Sequence, residues 1–213
     1  MLVRDVMTHK VVTIPSNTPL PEAKRLLEFH KFERLPVVDM DKLVGLVTKD
    51  DILKVSPSPA TSLSRSEILY ILSKQTVRQI MKENLVTVTP RTTIEQAIVT
   101  AQEKRVGCLP VVEEERVVGI LTAYDIFYKI INPLFGIGET GKCIIVHRVG
   151  ELEQMKKVFE CINKAGLKIK TFWQPPGAGE KDLILHLETK DIAQLVSQLK
   201  EVGFSIDERE LTI

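Results

Sequence analysis

Two hydrophobic rhythms alternate along the chain. Short runs of β-branched and aliphatic residues at 11–14, 35–38 and 42–47 read as strands, the last two joined by the polar turn Asp39-Met40-Asp41-Lys42. Between the first two runs, Ala23, Leu26, Leu27 and His30 recur at helical spacing behind Pro21-Glu22-Ala23, with Thr18 as a nearby cap. Thr48 then caps a helix from Lys49 onward. The same order returns further on. A run at 85–88 precedes a helix opened by Thr93-Ile94-Glu95, with Thr92 nearby; a strand at 109–112, the turn Glu113-Glu114-Glu115 and the cap Thr122 follow.

The recurrence extends to residue identity. Leu35-Pro36-Val37-Val38 returns as Leu109-Pro110-Val111-Val112, and Gly45-Leu46-Val47-Thr48 as Gly119-Ile120-Leu121-Thr122, both at an offset of 74 residues. Asp51-Ile52 returns as Asp125-Ile126, and Val3-Arg4 with Met7 as Val77-Arg78 with Met81. One offset held without a gap from 3–53 against 77–127 marks a duplicated β-α-β-β-α unit. A unit of roughly 50 residues buries too little to stand alone, so the two are expected to pack through their sheets.

A Val-Arg-x-x-Met start, a Leu-Pro-Val-Val strand and a Gly-x-x-Thr-x-x-Asp element, twice in tandem, resemble a CBS-domain pair over residues 1 to 131. The resemblance implies a disc with pseudo-twofold symmetry and two clefts, which in that family commonly take AMP, ADP, ATP, S-adenosylmethionine or related adenosine ligands. The residue types suit such a ligand. Thr48 and Asp51 stand three apart at a helix N-terminus, where unpaired amides and the helix dipole attract phosphate. By the resemblance, Asp51 and Asp125 accept the ribose hydroxyls, and Thr48 and Thr122 contact ribose or phosphate. The segments at Val12-Thr13 and Val86-Thr87 match the backbone edge that reads adenine, and the apolar side chains Leu35, Pro36 and Val37, with Leu109 and Pro110 in the second copy, can form the other wall of a base slot. A plain capping threonine, or a core role for the apolar residues, is the competing explanation at each position.

The copies differ before Leu-Pro-Val, where Arg34 faces Cys108 across the repeat. Relatives that bind phosphorylated adenosines often hold a basic residue there, and an arginine offers a bidentate, charge-assisted contact. The first site is therefore expected to favour AMP, ADP or ATP, with Lys10, Lys49 and His9 adding positive field. The second is expected to be weaker, empty or suited to a less charged adenosine.

Residues 56–75 separate the copies, with a Ser-Pro-rich start and a short amphipathic helix over 67–74 capped by Ser64 or Ser66. The wording here is similar to the insert of the acetoin-utilisation (AcuB) proteins. The apolar positions Ile68, Leu69, Ile71 and Leu72 predict packing on the pair or on a partner subunit. A glycine-rich linker at 132–141 leads to a tail at 142–213. There a strand at 143–147, a helix at 151–165 with Leu152, Met155, Val158, Phe159 and Ile162 on one face, a hairpin at 167–173 and 183–188, a helix at 191–202 and a last strand at 204–211 follow in order. Gly166 and Gly203 end the two helices. This βαββαβ order is ferredoxin-like and resembles an ACT domain. The turn His147-Arg148-Val149-Gly150 departs from the ligand-binding turn of amino-acid-sensing ACT domains, and leaves dimerisation as an equally good role. The expected fold class is thus α+β: a tandem CBS-domain pair (1–55 and 76–131) followed by an ACT-type domain.

Charge and composition narrow the function classes. With 29 basic and 28 acidic residues, the chain lacks the basic excess of a nucleic-acid binder. It shows neither a membrane-spanning apolar run nor a secretory leader, so a cytoplasmic location without membrane association is expected. Cys108, Cys143 and Cys161 are widely spaced and read as reduced core thiols. The scattered histidines His9, His30, His147 and His186 form no metal-ligand or catalytic spacing, and neither a catalytic set, a metal site nor an obligatory cofactor is expected. The resulting expectation is a non-catalytic, homodimeric regulator that binds an adenosine-type small molecule and acts on an unknown protein partner. An assembly adaptor without a physiological nucleotide, and an amino-acid or S-adenosylmethionine sensor, are the alternatives.

Overall fold

The computed structural model describes residues 1–56, 64–138, 140–177, 181–189 and 191–209; the side chains of Arg65 and Leu69 are also outside the description. The Ser-Pro-rich wording at 57–63, part of the hairpin turn after Pro176 and the chain beyond Arg209 therefore lie outside the described residues. The chain is a mixed α/β protein of two compact units, Met1–Asp125 and Ile126–Ile213.

In the first unit, helix α1 (Val3–Val6) and helix α2 (Leu20–His30) precede the antiparallel pair β1 (Arg34–Asp39) and β2 (Lys42–Thr48), and helix α3 (Lys49–Val55) follows. After helix α4 (Arg65–Ser73), the second copy runs through a short 3-10 turn (Val77–Gln79), α5 (Ile94–Glu103), the pair β3 (Cys108–Glu113) and β4 (Arg116–Thr122), and α6 (Ala123–Ile126). Both hairpins turn through two residues at positive φ, Met40 and Asp41 in one and Glu114 and Glu115 in the other. Such mirror-type turns match the right-handed strand twist. Each hairpin also carries the same irregularity, between Val37 and Val38 and between Val111 and Val112.

The expected first strands shrink to single bridges, Ile14 beside Val37 and Val88 beside Val111. In the first copy Pro15 follows at once and has no N–H to continue the ladder. The far edge of each hairpin is completed by the other copy. Thr8 bridges Ile120 on β4, and Lys82 bridges Leu46 on β2, two pairs related by the repeat. The chain entries cross in the same way: Val3 N donates to Thr92 O at 2.8 Å and Val77 N to Thr18 O at 2.9 Å. Met7 and Met81 cover glycines of the opposite copy, Gly119 and Gly45. Any side chain at those glycines would occupy the methionine's place.

Local chemistry explains the helix starts, with corrections. Thr48 accepts from Asp51 N and Thr93 from Gln96 N, whereas α2 begins behind Pro19 and neither Thr18 nor Thr92 is the N-cap. Ala23 and Leu27 are buried in the first core with Leu35, Val37 and Ile52, but His30 faces solvent at the last turn of α2. Helix α4, capped by Ser64, packs Leu72 and Ile68 into that core, as its apolar stripe predicts, while Ile71 is exposed.

The second unit contains a π-helical turn (Phe127–Ile131), helix α7 (Asn132–Phe135), β5 (Lys142–Val146), α8 (Leu152–Lys164), β6 (Ile169–Trp173), β7 (Leu183–Leu187), α9 (Ala193–Glu201) and β8 (Ile206–Arg209). Its four strands form one sheet in the order β6-β7-β5-β8, with every described pairing antiparallel. Val158, Cys161 and Ile162 of α8 and Leu195 and Leu199 of α9 pack with the inward side chains of β5 and β7. Leu152, expected on that face, is 79% exposed because it sits on the first turn, ahead of the sheet contact. The three cysteines are free and buried, and burial pushes the Cys143 thiol up. Trp173 packs edge-on against Phe135, with ring centroids 4.6 Å apart.

His147, just past β5, lies between Asp182 (Nδ1 to Oδ2, 3.0 Å) and Asp207 (Nε2 to Oδ2, 3.2 Å). Burial alone would lower its pKa, but the hydrogen bonds and charges of the two carboxylates outweigh that and raise it above the usual histidine value. The cluster thus ties the ends of three strands most strongly when His147 is protonated.

Two tests follow from this packing. Gly45→Val should destabilise the first unit by about 1–3 kcal/mol through crowding against Met81, with part regained in a Gly45→Val, Met81→Ala double variant; urea unfolding checks both. Because the folded-state pKa of His147 is raised, its contribution is complete below the unfolded value of about 6.5 and is lost as pH rises through the folded value. Thermal unfolding of the second unit should therefore lose stability over that rise in wild type, and show a flatter pH dependence in His147→Gln.

Candidate functional site

A cavity of about 530 Å³ opens within the first unit and draws its walls from both copies. Lys10, Val11, Val12, Lys31, Phe32, Glu33, Arg34 and Pro36 come from the first copy together with Thr8; Gly107, Ile120, Thr122, Ala123, Tyr124 and Asp125 come from the second. The volume lies within the roughly 300–1,000 Å³ typical of small-molecule sites.

Alternation along β1 decides which predicted residues reach this space. Arg34 and Pro36 line the cavity, whereas Leu35 between them is fully buried in the first core. Leu109 is likewise buried. At the equivalent of Arg34, Cys108 is buried with Leu46 and Ile120. The guanidinium of Arg34 lies over Gly107, so a Cβ there would stand 3.3 Å from both Nη1 and Nη2. The small residue leaves the arginine room to lie across the boundary between the copies.

At the start of α6, Asp125 is 6% exposed and well supplied with donors. Thr122 N and Oγ1 donate to its Oδ2 at 2.9 and 2.6 Å, and Thr8 Oγ1 donates to its Oδ1 at 2.8 Å. A buried carboxylate held by hydroxyls is a ready acceptor for the hydroxyls of a sugar. The related Asp51 is fixed by Thr48 in the same manner, through 3.0 and 2.6 Å bonds. Its other neighbour differs: where Asp125 meets Thr8, Asp51 has Lys82 Nζ at 3.9 Å.

Of the expected site residues, the cavity brings together Val12, Arg34, Pro36, Thr122 and Asp125. It does not include Thr48, Asp51, Val86, Thr87 or Pro110, nor Thr13, which is exposed beside it. Lys10 lines it; Lys49 and His9 do not. The pairing of Arg34 with the second copy's Thr-x-x-Asp element, rather than its own, was absent from the sequence reading. So were Thr8, Lys31, Phe32 and Tyr124. A signal for Thr8 did exist, since it follows Met7 as Lys82 follows Met81, at a position where the copies diverge. Among the described residues, no cluster of three or more His, Cys, Asp or Glu is placed to hold a metal ion, and no helix is long and apolar enough to cross a membrane.

The CBS-domain family model matches residues 3–58 and 77–132, more than half of the chain. The chain belongs to the CBS-domain family. A CBS domain-containing protein of Dictyostelium discoideum is 31% identical over 63% of this chain and 96% of its own length. The L-aspartate semialdehyde sulfurtransferase of Methanocaldococcus jannaschii is 31% identical over 63% of this chain, which spans only 23% of that enzyme. Among solved structures, a candidate acetoin utilization protein (AcuB) from Vibrio cholerae aligns with a TM-score of 0.53 and 28% identity, covering 62% of this chain and 91% of that one. The CBS domain pair of protein MJ0100, in complex with 5'-methylthioadenosine and S-adenosyl-L-methionine, aligns at 0.50 and 30% identity over 64% of this chain and 96% of that one. CBSX2 in complex with AMP aligns at 0.51 and 27% identity over 62% and 96% of the two chains.

Proposed function

We propose that this chain is a non-catalytic regulatory protein that binds an adenine nucleotide (AMP, ADP or ATP) in the Arg34 cleft. One observation carries the reading: a single cavity unites an arginine able to meet phosphate with a buried Asp125 suited to ribose hydroxyls. Between them Val11, Val12, Pro36 and the rings of Phe32 and Tyr124 offer apolar walls for a base. The adenosine ligands bound by the CBS pairs of MJ0100 and CBSX2 support the same ligand class. The related half of the pair, with Cys108 in place of arginine and Lys82 beside Asp51, is the weaker or empty one.

Ligand bridging segments of both copies favours one arrangement of the pair, and that population shift is the signal passed to the second unit or to a protein partner. The βαββαβ order of the second unit and its sheet order support a ferredoxin-like, ACT-type domain there, with homodimerisation as its role. The likeness to the AcuB structure supports a role akin to that of the acetoin-utilisation proteins, without naming a target.

S-adenosylmethionine is the second ligand to consider, because the MJ0100 pair holds it. Calorimetric titration with ATP, ADP, AMP and S-adenosylmethionine separates the possibilities, and a folded protein that binds none of the four would sink the sensor reading in favour of an adaptor. Arg34→Ala should cost about 1.5–3 kcal/mol of nucleotide binding, roughly tenfold to a hundredfold in affinity. Asp125→Ala should weaken binding at the same cleft, whereas Asp51→Ala should leave that cleft's affinity near wild type. Equal losses from the two aspartate variants would remove the cross-copy assignment.

A further inference from the structure

The Arg34 cleft gathers three cations, Lys10, Lys31 and Arg34. A terminal phosphate carries up to about two negative charges and each further phosphate adds about one; a bidentate arginine meets one of them, and Lys10 and Lys31 line the same cavity, with Glu33 and Asp125 as its acidic residues. Asp125 is engaged by Thr8 and Thr122. Among the described residues, no carboxylate lies within ion-pair distance of Lys10, Lys31 or Arg34. Like charges gathered in one concavity repel one another and concentrate a polyanion.

Lys31 adds a conformational clue. It closes α2 in the left-handed region, φ 55°, where glycine is the comfortable residue. A cation at a helix C-terminus also suits the helix dipole, and Arg105 repeats it at φ 52°. The dipole accounts for that position in both copies. It does not account for Lys10 and Arg34, whose related positions are Asn84 and Cys108. These two cations therefore belong to this cleft and not to the repeat.

We propose that the Arg34 cleft selects adenosine ligands carrying two or three phosphates, with Lys31 and Lys10 contacting the phosphates beyond the first. The proposal rests on the nucleotide reading of that cleft. It makes ATP and ADP the preferred ligands, AMP a weak one, and the cationic sulfonium of S-adenosylmethionine a poor one.

Titration calorimetry on the full chain with adenosine, AMP, ADP, ATP and S-adenosylmethionine, with and without magnesium and at two salt concentrations, tests it. ATP is expected to bind at least about tenfold more tightly than AMP and to lose more affinity with salt. Lys31→Gly, which suits the left-handed backbone while deleting the ammonium, should shrink the ATP-to-AMP ratio, and Lys10→Gln should do the same. Lys156→Gln, on α8 of the second unit, should leave it alone. Binding of AMP as tight as ATP would overturn the proposal while leaving the nucleotide reading standing. An ATP preference untouched by both lysine variants would overturn the role of the lysines. Absence of binding by every adenosine compound would overturn the nucleotide reading, and this proposal with it.

Discussion

Each hairpin of the duplicated half is left incomplete by its own copy and finished by the other. Thr8 N donates to Ile120 O at 2.9 Å and accepts the return bond at 3.0 Å, and Lys82 makes the matching pair with Leu46 at 2.9 and 3.0 Å. An unpaired backbone edge buried away from water costs free energy comparable to a lost hydrogen bond, so neither copy has a satisfied fold alone. The methionine beside each crossing residue then covers a glycine of the opposite copy.

The cavity is a product of this exchange. Because the chain segment through Thr8 runs along β4, it carries Lys10, Val11 and Val12 to the mouth of the second copy's Thr-x-x-Asp element. Arg34 reaches the same space over Gly107. The exchange also lets the two halves diverge in chemistry without disturbing the backbone. Position 8 or 82 contributes its main chain to the ladder whichever side chain it bears, so a threonine in one half and a lysine in the other are equally compatible with the fold. Arg34 and Cys108 differ in the same way, one turned to the cavity and the other buried with Leu46 and Ile120.

Much of this was legible in the order of residues because it is local. The hairpins follow from β-branched runs around two-residue turns, and Thr48 and Ser64 cap helices through contacts three residues away. The tail's element order was readable for the same reason. What could not be read was which copy owns which edge, since a local pattern is the same whether a segment pairs with its own hairpin or its partner's. That ambiguity grouped Arg34 with Asp51 instead of Asp125. Helical spacing misled at the element ends: His30 and Leu152 continue an apolar stripe beyond the last neighbour it could bury against. Leu35 shows the converse: expected on the wall, it is turned into the core because strand alternation along β1 sets it opposite Arg34 and Pro36.

The exchange also makes the decisive contacts of the first unit distant ones in sequence. The hydroxyl of Thr8 donates to a carboxylate 117 positions later. The first hairpin waits in turn for Lys82. Closing so long a loop costs entropy that is offset only once the distant contacts form, which slows folding. Residues 1–55 by themselves hold a hairpin and three helices, but no partner for the segment through Thr8. The cleft exists only where the segment through Thr8 meets the second copy, so it is a product of contacts far apart in sequence.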